Sequence, residues 1–160
     1  MATDIIDKQK TVRIDRRSVR WLVERILLDH SCKGSDLSIV FAGDEFVRSL
    51  NLAYRGADRP TDVLAFAMLD AVGAGERGAA RGQESVLGDV VISADRAAVQ
   101  ARRFKRTVDH EILKLVAHGV LHLLGHDHER ADDRRAMRRL ENRYAREAIS
   151  RAREGGQAGS

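Results

Sequence analysis

The segment HGVLHLLGHDH, running from His118 to His128, constrains this chain more than any other stretch. His118 and His122 are four residues apart. On a helix that spacing stacks two side chains on one face, about 5–6 Å apart at Cβ, so both imidazoles can reach a single ion. Gly125 follows, where a helix can stop by entering the left-handed region, and the chain can then turn back to present His128 as a third nitrogen ligand. A histidine pair on a helix is, by itself, more often ordinary surface or core material. The glycine stop and the third histidine at a matching offset turn the pair into a candidate site. Three protein ligands with one position left for water is the pattern of a catalytic zinc site and not of a closed structural one. One Zn2+ is the expected cofactor, although three imidazoles also suit nickel or copper. Asp127 could orient a ligand imidazole from behind, and His126 reads as a turn residue.

One substitution narrows the chemistry. Zinc proteases of the H-E-x-x-H-x-x-G-x-x-H type carry their general base as a glutamate beside the first histidine. Here that position is Gly119. The ligand spacing is kept and the base is missing, which argues against peptide hydrolysis by the usual route.

The rest of the chain supplies a frame for a helix of this kind. TVRID (11–15) alternates as a short strand does. Val19, Leu22, Val23, Ile26 and Leu27 share one face of a helix running to about Leu28. LSIVF (37–41) predicts a buried strand, and Phe46, Val47, Leu50 and Ala53 an amphipathic helix stopped by Gly56. Strands are expected at 62–68 and 86–92, with Gly88 marking a bulge or a close backbone approach. Residues 71–85, rich in Gly and Ala, form a long loop that is either a functional flap or a tolerated insertion. Helices at about 94–103, 108–124 and 132–152 finish one domain, 1–153, ahead of a disordered tail at 154–160. The order predicts an α+β fold: a small mixed sheet of about four strands covered by about five helices, with a zincin-like metal site on a helix and the loop after it.

Composition sets outer limits. No apolar run approaches the roughly 20 residues that span a bilayer, and the start lacks the apolar core of a secretory signal. The single cysteine, Cys32, suits a reducing compartment, so a cytoplasmic, non-membrane protein is expected. A net charge of +4 permits an anionic partner without demanding one. Aromatic residues make up 4% of the chain, so no platform for stacking bases is visible.

The three-histidine segment, the string LNLAYRGADRPTDVLAF and the string LGDVVIS together resemble the YbeY family, over about Leu37 to Leu140. The resemblance implies a zinc-dependent, single-strand endoribonuclease acting in ribosomal RNA processing, with ribosomal RNA, the small ribosomal subunit and its assembly factors as partners. It implies metal ligands at His118, His122 and His128 and a catalytic arginine at Arg55. Beside that role stands a structural account of Arg55, as a cation stabilised at a helix C-terminus. The chain departs from the family strings at Ala65 and Ala67, where Ser and Pro are usual, and at His126, where tyrosine is usual.

Proton transfer has two candidates, Asp62 and Asp89, each of which could equally cap a strand end. Lys114 lies one turn before His118. With Arg102, Arg103, Lys105 and Arg106, and with Arg134, Arg135, Arg138 and Arg139, it is a candidate for phosphate contact. The alternative reading from another class is a non-catalytic ribosome-assembly factor in which zinc stiffens the fold.

Overall fold

Four strands and five helices make up the part of the chain that a computed structural model describes, residues 3–68, 86–126 and 130–158, with side chains in the last helix through Glu154. In chain order they are β1 (Thr3–Asp7), α1 (Arg16–Asp29), β2 (Asp36–Ala42), α2 (Asp44–Arg55), β3 (Val63–Ala67), β4 (Val86–Ser93), α3 (Ala94–Arg103), α4 (Val108–Leu123) and α5 (Ala131–Ala158). The sheet order is β1-β2-β4-β3, with β1, β2 and β4 parallel and β3 antiparallel to β4. The fold is α+β with a mixed sheet, as the sequence predicts. The last helix runs further than the apolar pattern indicates, to Ala158.

The first strand is a correction. It lies at Thr3–Asp7, where Ile5 enters the core and the backbone pairs with β2, and not at 11–15. Val12 and Ile14 do pack on the core. The Val12 backbone, however, is spent elsewhere: the Gln9 side chain donates to the Val12 carbonyl at 2.8 Å and accepts from its N–H at 2.9 Å. The alternation in TVRID therefore reports packing on the approach to α1, whose N-cap is Asp15, and not a place in a ladder.

The two sheet faces follow the period-two rule of a strand, with one interruption. Asp36 pairs with Val86 but Leu37 pairs with Gly88, which leaves Leu87 as an extra residue. At Gly88 φ is +141°, and a Cβ there would sit 2.1 Å from the Phe66 carbonyl oxygen. The bulge and the close approach expected at this glycine are both present. Beyond it, Val90 and Ile92 face the larger core, while Val91 joins Ala42, Val47 and Leu64 under α2 on the other face.

Helix α4 is the centre of the larger layer. It lies on β3 and β4 and is enclosed by α1, α3 and α5. From Glu111 to Leu123 it is buried all round except along one stripe, Lys114, His118 and His122. Apolar residues commit every other direction to packing, so the stripe spaced by four is what remains open for chemistry. Among the described residues no helix is long and apolar enough to cross a membrane.

Candidate metal centre

Thr107 caps the start of α4 by accepting the N–H of His110 at 3.1 Å. Its end is a glycine stop of the Schellman type: Gly125 has φ +92°, its N–H bonds the His122 carbonyl at 3.0 Å, and the His126 N–H reaches back to Leu121 at 3.1 Å. The helix that carries His118 and His122 thus begins and ends close to where the sequence indicates. His128 and Asp127 lie outside the described residues, as does the loop expected at 71–85. Among the described residues no third His, Cys, Asp or Glu joins the pair to complete a metal cluster.

The two histidines differ in their surroundings. His122 is exposed. His118 is partly buried, and its Nδ1 lies 2.7 Å from a carboxylate oxygen of Glu141 on α5. A carboxylate accepts, so Nδ1 carries the proton and the Nε2 lone pair is directed away from Glu141. The Glu141 hydrogen bond holds the His118 pKa above its ordinary value against the opposing effect of burial, and the charge on Asp62 adds to the rise. A buried acid behind a histidine is a common device for fixing the ring and raising its basicity toward a metal. Glu141 is the residue that sequence reasoning missed. Its one local trace is a glutamate interrupting the apolar stripe of Met137, Leu140 and Tyr144, which does not by itself name a partner.

Gly119 has a packing reason to be glycine. A Cβ at that position would lie 2.4 Å from a Val90 methyl of β4. This is the point where α4 touches the sheet, so no glutamate could project from it.

Asp62 and Asp89 separate. Asp62 lines a cavity of about 240 Å³ together with His118, Glu141 and Lys114, and one of its oxygens accepts from the Gln100 amide at 3.1 Å. Asp89 is exposed, and alternation along β4 puts it on the face shared by Val91 and α2, away from α4. Arg55, the last residue of α2 before Gly56, donates to the Ala65 carbonyl at 3.1 Å and lies over the Phe66 ring. Among the described residues it is tied to β3 and touches neither histidine.

Residues 4–148 match the family described as Endoribonuclease YbeY. The chain belongs to that family. It is 39% identical over 150 residues to the Endoribonuclease YbeY of Syntrophotalea carbinolica, covering 94% of this chain and 95% of the relative. It is 46% identical over 107 residues to that of Pelotomaculum thermopropionicum, covering 67% and 68%, and 38% identical over 146 residues to that of Aquifex aeolicus, covering 91% and 89%. The solution structure of TM1509 from Thermotoga maritima is similar in fold, with a TM-score of 0.63 over 96% of this chain and 93% of that one, at 24% identity.

The departures from the YbeY strings are structurally quiet at two positions. Ala65 and Ala67 pack partly buried against the larger core from β3, where small side chains let α4 approach. At the third, His126 faces His30 at the C-terminal end of α1, with 2.9 Å between the Nε2 atoms. His30 Nδ1 lies 2.8 Å from the Ile26 carbonyl. Nδ1 donates there, and in a neutral His30 ring Nε2 then accepts from His126. Burial, then the neighbouring His30, pushes the His126 pKa below its ordinary value. His126 is thus more than a turn residue, since it fastens the chain after Gly125 to α1.

Proposed function

We propose that this YbeY-family chain is a zinc-dependent endoribonuclease that cuts single-stranded RNA, with ribosomal RNA and the small-subunit assembly machinery as its setting. The observation that carries the reading is the stripe of α4 that bears both histidines, with His118 held from behind by Glu141 and its Nε2 directed away from that carboxylate. That donor chemistry fits zinc: two imidazoles at helical spacing, one of them backed by a carboxylate. His118, His122 and His128 would hold the ion. When bound, zinc supplies Lewis acidity and a water acidic enough to ionise near neutral pH.

The chain's own residues supply the remaining parts. Glu141 orients His118. Asp62, in the same cavity, is the acid placed to carry a proton, because Asp89 lies on the opposite face of the sheet. Arg55 is held at β3 through one nitrogen of its fork. Arg55 stands over Phe66 on the α2 side of the sheet, so its proposed role of gripping phosphoryl oxygens rests on the family resemblance and not on its position beside the histidines. Peptide hydrolysis is disfavoured because the position of the usual base is filled by the contact of Gly119 with Val90.

The test is cleavage of a single-stranded RNA by protein purified free of contaminating nuclease, comparing the native chain with His118→Ala. Loss of cleavage in a folded variant is expected. Unchanged cleavage overturns the enzyme reading, and failure of the native chain to cleave while it still binds RNA favours the assembly-factor alternative.

A further inference from the structure

We propose that the seam between α4 and α5 beside His118 is a phosphate-binding track for the RNA strand flanking the cut bond. The proposal rests on the endoribonuclease reading and gives it a substrate-binding surface. The cavity of about 240 Å³ that includes His118 has Lys114 from α4 and Arg134 and Arg138 from α5 in its lining, over a floor of Leu115 and Met137. Arg134 and Arg138 are one helical turn apart, so they address the same groove. The arginine cluster of α5 is thereby divided. Arg135 turns away and pairs with Asp132, and Arg139 is absent from the lining.

The cavity also holds two carboxylates, which would oppose an anion. Glu141 is buried and engaged by His118, and Asp62 takes the Gln100 amide. Lys114 stands 3.9 Å from the carboxylate of Glu111, a distance at the outer limit of an ion pair, with its side chain partly exposed. The exposed groups of the lining are the two arginines, with Asp62 and Lys114 half-buried behind them. A second cavity of about 570 Å³ lies along the same pair of helices nearer the start of α4, with Arg106, Arg146 and Arg153 in its wall, Arg106 also reaching Asn142 and Glu111. Cations along a groove with no Phe, Tyr or Trp in the lining of either cavity suit a sugar-phosphate backbone, gripped without regard to base.

The experiment measures binding of a fluorescent 2′-O-methyl single-stranded RNA across a salt series, since that strand cannot use its own 2′-oxygen for cleavage. The native chain is compared with Lys114→Gln/Arg134→Gln/Arg138→Gln and with Arg135→Gln/Arg139→Gln. Each lost phosphate contact on a single strand lowers the slope of log affinity against log salt by about 0.7, so the triple variant should lose about 2 from the slope and bind about tenfold or more weakly. The Arg135/Arg139 pair should keep the native slope. Single substitutions, each expected to lower the slope by about 0.7, carry the test if the triple variant fails to fold. A triple variant with native slope and affinity, from a chain that still cleaves RNA, overturns the track and leaves the enzyme reading standing. A native chain that neither binds nor cleaves single-stranded RNA overturns both.

Discussion

At the scale of single residues, the pair His118 and Glu141 is where structure adds most to the sequence. A protonated Nδ1 with a carboxylate behind it does two things for Nε2: it fixes the tautomer and it increases basicity. Replacing Glu141 with Ala removes both effects, whereas Gln keeps an acceptor and removes the charge. Zinc affinity, measured by competition with a chromogenic chelator, should fall about 10–100-fold for Glu141→Ala and less for Glu141→Gln. Equal affinity in all three proteins would mean that Glu141 serves only to satisfy a buried ring. The two histidines and the glycine stop were legible because helical spacing is local information. Glu141 was not, because it lies 23 residues beyond His118, and a lone acid on an apolar stripe does not say what it faces. The His30–His126 contact, across 96 residues of chain, left no local trace at all.

At the scale of elements, the sequence read most faithfully where apolar period and caps agreed. Helix α3 begins at Ser93, whose hydroxyl accepts the Arg96 N–H at 3.1 Å, and α2 ends at Gly56 with φ +67°, both where the pattern indicates. The lost strand at 11–15 shows the converse, since alternation without a partner strand is only packing. What no local pattern conveys is how α5 is held against α1. The Tyr144 hydroxyl, in a buried side chain, donates to an Asp29 carboxylate oxygen at 2.8 Å. Burial first, and then this hydrogen bond, pushes the tyrosine pKa up to about 12. A raised folded-state value for a group that loses its proton means the protonated form is favoured in the fold. Its stabilisation is complete below the unfolded value near 10 and declines as pH rises from there toward 12. Tyr144→Phe should cost about 1 kcal/mol near neutral pH. In urea titrations the gap between native and variant should close progressively above pH of about 10. A gap that stays constant through that range would show that the fold does not hold the Tyr144 proton above its ordinary value.

At the scale of the whole molecule, the ligands proposed for zinc draw on parts of the chain that different forces hold. His118 and His122 ride on α4, which the sheet and three helices lock in place. His128 follows a turn fastened by Gly125 and the His126–His30 contact. An ion shared between them would bind the folded chain and hardly the unfolded one, because the unfolded chain does not hold the three rings together. Binding that is selective in this way stabilises by mass action, about 2.7 kcal/mol when free zinc stands at 100 times its dissociation constant. For a domain of this length about 1 kcal/mol moves Tm by roughly 2–4 °C, so a rise of roughly 5–10 °C is expected at that excess. It should climb with the logarithm of zinc concentration, reverse on adding a chelator, and vanish in His122→Ala, whose exposed side chain can be removed without opening a hole in the core. The His122 variant is the informative control, because His118→Ala also strands Glu141 and would lower Tm with or without metal. A Tm indifferent to zinc in the native chain, or equally responsive in His122→Ala, would place the ion elsewhere and remove the metal from the proposed mechanism.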